Sequence, residues 1–238
     1  MISYLWTMCR AGLSTLFYSI YTVYRGRGGN SDAYHHYAVE WGKQMVNIMD
    51  MDLEVIGKEH LSPDENYVYV ANHSSLLDIP VLIYGLDDNV RIIYKKELEN
   101  IPIFGWGMKQ SPFIPVSRGD GGESMKSLNE AISAMKESKS ILIYPEGTRS
   151  VDGTLGEFKR GAFVLAEKAG KKIVPVTVIG TNKILPKGTT KILKGAKVRI
   201  IISEPMELPA ERHKRAMMAY IDNIRTIILD NLTKHSEN

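Results

Sequence analysis

Two short runs carry the residues best suited to chemistry. In Asn72-His73-Ser74-Ser75-Leu76-Leu77-Asp78 an imidazole is followed five residues later by a carboxylate, where an apolar strand hands over to a helix. Such loops commonly carry functional groups on a rigid scaffold. The imidazole of His73 could act as a general base, with Asp78, about one helical turn away, accepting its other ring proton and fixing the tautomer. The same residues also suit an ordinary helix start, since Asn72, Ser74 and Ser75 are good caps and Asp78 is favoured by the helix dipole. The second run, Tyr144-Pro145-Glu146-Gly147-Thr148-Arg149-Ser150, again follows a strand. Proline and glycine end the strand and let backbone N–H groups approach a ligand, and Arg149 offers a planar fork for phosphate. Its alternative is a tight turn with a surface pair between Arg149 and Glu146.

The surrounding pattern supplies elements that would position both runs. Short β-branched runs predict strands at Leu53 to Ile56, Tyr67 to Ala71, Arg91 to Tyr94, Phe113 to Val116, Ile141 to Tyr144, Ile173 to Ile179 and Val198 to Ile202. Helical segments are predicted at Ser75 to Tyr84, Glu123 to Glu137, Lys159 to Ala169 and Ala210 to Leu232. Alternation of this kind predicts a single α/β domain, residues 51–238, with a mixed, largely parallel sheet flanked by helices.

Residues 1–50 differ in character. The first 24 carry one charge, Arg10, and six aromatics: Tyr4, Trp6, Phe17, Tyr18, Tyr21 and Tyr24. The uncharged stretch from Ala11 to Tyr24 has 14 residues, whereas a spanning helix needs about 20. A secretory signal is not expected either, because no basic n-region precedes the run and no A-x-A site follows it. After a glycine-rich turn with Arg25 and Arg27, the positions Tyr34, Tyr37, Trp41, Met45, Ile48 and Met49 recur at helical spacing. Aromatics that favour the membrane interface, with arginines for anionic headgroups, make the pair an expected amphipathic two-helix, monotopic membrane anchor. A hairpin packed on the domain core has the same signature.

Composition narrows the class. Hydrophobic residues are 44% and charged residues 24% of the 238, ordinary globular usage that argues against a disordered or polytopic membrane protein. With Cys9 alone, neither a disulfide within the chain nor a cysteine zinc cluster can form, which suits a reducing compartment. Residues 151–200 hold 11 Lys or Arg against Asp152, Glu157 and Glu167, a local charge of +8 within a chain of net +3. That excess attracts anions, although lysines such as Lys183, Lys187, Lys191, Lys194 and Lys197 are often simply solvated.

Together the blocks carry a resemblance to the glycerolipid acyltransferases, most closely the bacterial lysophosphatidic acid acyltransferases. The family's N-H-x-S-x-x-D block matches Asn72, His73, Ser75 and Asp78. Its K-x-E-L-x-x-I-P-x-x-G block matches Lys95, Glu97, Leu98, Ile101, Pro102 and Gly105, and the arginine closing that region matches Arg118, preceded by Ser117 where many relatives have Asp. P-E-G-T-R-S matches Pro145 to Ser150, followed by Phe158-Lys159-Arg160-Gly161-Ala162, and V-P-V matches Val174-Pro175-Val176.

The resemblance implies transfer of a fatty acyl group from a thioester, acyl-CoA or acyl-ACP (acyl carrier protein), to the free hydroxyl of lysophosphatidic acid. His73 and Asp78 would be catalytic, and Lys95, Arg118, Glu146, Gly147, Thr148 and Arg149 would bind substrate. Backbone N–H groups near Gly147 would hold the oxyanion. No metal, resident cofactor or nucleic acid is expected. Membrane lipids would be partners, with the chain on the cytoplasmic face of the cell membrane. Another lysolipid acceptor, or a noncatalytic lipid-binding protein on the same shell, is the alternative. A serine hydrolase is disfavoured by the missing G-x-S-x-G, and nucleotide binding by the missing glycine-rich phosphate loops.

Overall fold

The computed structural model describes residues 2–26, 31–101, 104–116, 129, 131–133, 139–189, 192–211 and 213–235. Seven strands are present among them: β1 (Asp52–Ile56), β2 (Val68–Ala71), β3 (Val90–Lys95), β4 (Ile114–Val116), β5 (Ser140–Ile143), β6 (Ile173–Ile179) and β7 (Lys197–Ile202). They form one sheet in the order β1-β7-β6-β2-β5-β3-β4. All neighbours are parallel except β6 and β7, which run antiparallel with Val176 opposite Ile202. This is the expected α/β class with a largely parallel sheet.

Helices cover both faces, which explains why β2, β5 and β6 are almost continuously apolar and not alternating. On one face, α2 (Ser31–Ile48) and α3 (Asp78–Leu86) pack Met45, Ile48, Val81 and Leu82 over Tyr69, Ala71, Leu142 and Val176. On the other, α5 (Gly161–Ala169) and α7 (Lys214–His235) pack Phe163, Leu165, Ile221, Ile224 and Ile228 over Val68, Val70, Ile141 and Ile173. Shorter still are α4 (Phe104–Gln110) and the single turn α6 (Thr181–Ile184). Of the helix expected at Glu123 to Glu137, only Asn129 and Ala131 to Ser133 fall within the described residues, and they are helical.

The N-terminal pair divides its labour. Met45, Val46 and Ile48 of α2, with Met49 in the turn after it, are buried in the main core. Gly42 lets α2 and α3 touch, since a Cβ there would meet the carbonyl of Pro80 and the side chain of Tyr84. The α2 face that the spacing offered to a membrane is therefore occupied by the domain itself. Helix α1 (Ile2–Gly26) is the opposite case. It turns Thr7, Ala11 and Thr22 inward, and Thr15 accepts a hydrogen bond from the Trp41 indole at 3.2 Å. Trp6, Leu13, Phe17, Ile20 and Tyr24, spaced by seven, four, three and four, form one exposed stripe. Among the described residues, no helix is long and apolar enough to cross a membrane.

Candidate active site

The C-terminal ends of three adjacent strands, β5, β2 and β6, converge, the usual location of ligand sites in open α/β sheets. Strand β2 delivers His73, β5 delivers the Pro145 to Ser150 loop, and β6 leads through Gly180 into Thr181. Asn72 ties β2 to β6: its side chain donates to the Val178 carbonyl at 2.9 Å and accepts from the Val178 amide at 2.8 Å.

Asp78 is the anchor of the histidine. Its side chain is fully buried at the first residue of α3, where the helix dipole favours a carboxylate. Oδ2 accepts from His73 Nδ1–H at 2.8 Å and from the amides of Ser74 and Ser75 at 2.8 and 2.9 Å. Oδ1 accepts the Thr181 hydroxyl. Thr181 reaches it because Gly180 takes φ +94° and lies against the Lys197 carbonyl, where a Cβ would collide. Four donors thus compensate the burial of one carboxylate, which alone would be costly. With Nδ1 donating, His73 presents Nε2 as an acceptor, and its side chain remains 14% exposed.

Glu146 links the two runs. Its Oε1 accepts the His73 amide at 2.8 Å and Oε2 the Gly156 amide at 2.9 Å, and the Ser150 amide donates to the His73 carbonyl at 2.8 Å. The alternative surface pair between Glu146 and Arg149 does not form; the buried carboxylate is used on backbone amides, and burial pushes its pKa above the usual range. The Gly147 amide is engaged as well, donating to the Tyr144 carbonyl at 3.0 Å. The amides of Thr148 and Arg149 bond to no partner among the described residues, and neither does the Arg149 guanidinium. Lys187, from the loop after α6, donates to the Arg149 carbonyl and to Thr148 Oγ1.

Residues 52–179, more than half of the chain, match the family described as Acyltransferase. The chain belongs to that family. It is 38% identical over 174 residues to a chloroplastic 1-acyl-sn-glycerol-3-phosphate acyltransferase of Arabidopsis thaliana, covering 73% of this chain and 49% of that one. It is 35% identical over 144 residues to a Saccharomyces cerevisiae protein of the same name, covering 59% and 47%. The chain thus spans about half the length of the curated relatives it matches. The crystal structure of the LPA acyltransferase PlsC from Thermotoga maritima superposes with a TM-score of 0.81 at 25% identity, covering all of this chain and 97% of that one.

Within this acyltransferase-family domain the predicted site residues separate by location. His73, Asp78, Glu146, Gly147, Thr148 and Arg149 meet at the ends of β2 and β5. Lys95 ends β3, the next strand beyond β5, and pairs with Glu97 at 3.1 Å. Arg118 lies outside the described residues. Sequence reasoning missed Thr181, for which no local signal exists 103 residues after Asp78. Lys187 was visible only as one of several lysines that could attract an anion or be solvated, and its place against the Arg149 carbonyl and Thr148 Oγ1 was not.

Proposed function

We propose that the protein transfers a fatty acyl group from an acyl-CoA or acyl-ACP thioester to the sn-2 hydroxyl of lysophosphatidic acid, making phosphatidic acid. The observation that carries this reading is the His73–Asp78 pair, with Nε2 unclaimed among the described residues beside a loop whose arginine and two backbone amides are likewise unclaimed among them. A glycerol hydroxyl is a weak nucleophile at neutral pH. His73 Nε2 takes its proton as the oxygen attacks the thioester carbonyl carbon, and Asp78 stabilises the resulting imidazolium. The carbonyl oxygen becomes an oxyanion, for which the amides of Thr148 and Arg149 are the available donors. When the C–S bond breaks, His73 returns the proton to the departing thiolate. The products are phosphatidic acid and a free thiol, and the step draws on the two substrates with no resident cofactor.

Arg149 is the first candidate for the acceptor phosphate, with Lys95 and Arg118 as further cations. The test compares lysophosphatidic acid, lysophosphatidylcholine and monoacylglycerol as acceptors with each thioester donor, following products by mass spectrometry. Preference for lysophosphatidic acid supports the reading, and equal use of all three acceptors contradicts it. Arg149→Ala is expected to reduce kcat/KM for lysophosphatidic acid far more than for monoacylglycerol, with poor restoration by Arg149→Lys, which lacks the planar fork. Equal loss on both acceptors would remove the phosphate assignment.

The outward stripe of α1 supports a monotopic attachment, with the cytoplasmic face of the cell membrane as the proposed surface. Each large apolar side chain taken out of water contributes about 1.5 to 3 kcal/mol, and Arg25 near an anionic leaflet adds on the order of 1 kcal/mol. Attachment is therefore mainly hydrophobic. A Trp6→Ser, Phe17→Ser, Tyr24→Ser variant should remain folded, because those side chains are exposed, yet stay in the supernatant when sedimented with phosphatidylglycerol vesicles. The parent chain should pellet even at high salt. Release of the parent chain by salt would point instead to the basic stretch.

A further inference from the structure

Tyr144, between β5 and the Pro145 to Ser150 loop, has no role in the chemistry described so far. Its ring lies on the His73 imidazole with centroids 4.0 Å apart and planes 20° from parallel. Its hydroxyl oxygen is buried and has no hydrogen-bond partner among the described residues. Burial, with the charge of Asp78 nearby, pushes the phenol well above its ordinary pKa, so it is a poor acid.

The histidine explains the ring. One hydrogen bond, Nδ1–H to Asp78, holds a single edge of the imidazole, so that among the described polar contacts it alone resists swing of the ring about Cβ–Cγ. A flat neighbour against the ring face removes the swing. The hydroxyl, in contrast, disfavours folding, because a buried donor that loses water and gains no acceptor is a net cost.

We propose that Tyr144 is a positioning residue whose ring face sets the plane of the His73 imidazole, keeping Nε2 aimed at the acceptor hydroxyl, while its own hydroxyl takes no part. The proposal rests on the acyl-transfer reading above for its kinetic consequence and on the stacking geometry alone for its spectroscopic one.

The test uses the full chain as Tyr144→Phe and Tyr144→Leu, with Tyr144→Met as a second, more adaptable non-aromatic filler should the Leu variant fold poorly. Two quantities are read: the NMR shifts of the His73 ring protons, which a stacked aromatic moves upfield, and kcat and KM for lysophosphatidic acid. Tyr144→Phe should keep the wild-type His73 shifts and keep kcat within about twofold, with Tm equal to or above wild type, since only an unpartnered buried group is lost. The non-aromatic variants should move the His73 shifts downfield and lower kcat by about ten- to a hundredfold with little change in KM, as expected when a catalytic group is misplaced. Unchanged kcat in a folded non-aromatic variant would overturn the proposal. So would a Phe variant as slow as the Leu variant, which would mean that the hydroxyl touches substrate. A wild-type chain inactive on lysophosphatidic acid would instead remove the acyl-transfer reading; His73 shifts identical in wild type and non-aromatic variants would then remove the stacking on their own.

Discussion

Replacement of His73 by Ala is expected to lower kcat by at least about a hundredfold while leaving the protein folded, the ordinary worth of a general base. The fold should survive because the structural bonds at this position are made by the backbone. The His73 amide is held by Glu146 and its carbonyl by the Ser150 amide, and neither needs the side chain. Asp78 loses one of four donors and keeps three. Circular dichroism should therefore overlay that of the wild type. A folded His73→Ala chain with near-normal turnover would sink the mechanism.

Asp78→Asn is the second large effect, and its cause is different. An amide has one acceptor oxygen where the carboxylate has two, so its NH2 must face one side of the buried pocket. The Oδ2 side holds three donors, whereas the Oδ1 side holds the Thr181 hydroxyl, which can turn to accept. The amide is therefore expected to place its oxygen toward His73 and its NH2 toward Thr181, keeping the geometry. What is lost is the negative charge that stabilises the imidazolium once the proton has moved. We expect kcat to fall by about 10² to 10⁴, the upper end being the loss in a catalytic triad whose amidated carboxylate also permits the wrong imidazole tautomer. Adding Thr181→Val to the Asp78→Asn variant should destabilise the fold further, by denying the new NH2 its acceptor. Turnover of Asp78→Asn within a few-fold of wild type would show that the carboxylate only shapes the loop.

The centre of the sheet was legible because β2, β5 and β6 are buried on both faces and so appear as nearly unbroken apolar runs. Ile173–Ile179 matches the expected strand end to end. Helix α3 begins at Asp78 and not at Ser75, because the amides of Ser74 and Ser75 bond the Asp78 carboxylate and the Ser75 hydroxyl accepts the Leu77 amide. Helix α4 gave no signal: it is seven residues long and contains Gly105 and Gly107. It is formed where Gly107 meets Ser19 of α1, a contact that local propensity cannot express. The histidine and carboxylate were legible as a local pair, whereas Thr181, Glu146 and Tyr144 act on them through neighbouring strands of the sheet. The periodicity of α2 was correctly visible, yet the same apolar spacing serves a membrane surface and a protein core, and only the packing of Gly42 on Pro80 distinguishes them.

Direct transfer from thioester to hydroxyl is the central claim, and a rapid-quench single turnover tests it most directly. Purified protein is mixed with a labelled acyl thioester, with and without lysophosphatidic acid, and free thiol, protein-bound acyl group, fatty acid and phosphatidic acid are quantified together. The mechanism predicts no thiol release and no acylated protein without the acceptor, and equal amounts of thiol and phosphatidic acid when it is present. A burst of thiol matched by acylated protein, or by free fatty acid, in the absence of lysophosphatidic acid would contradict it.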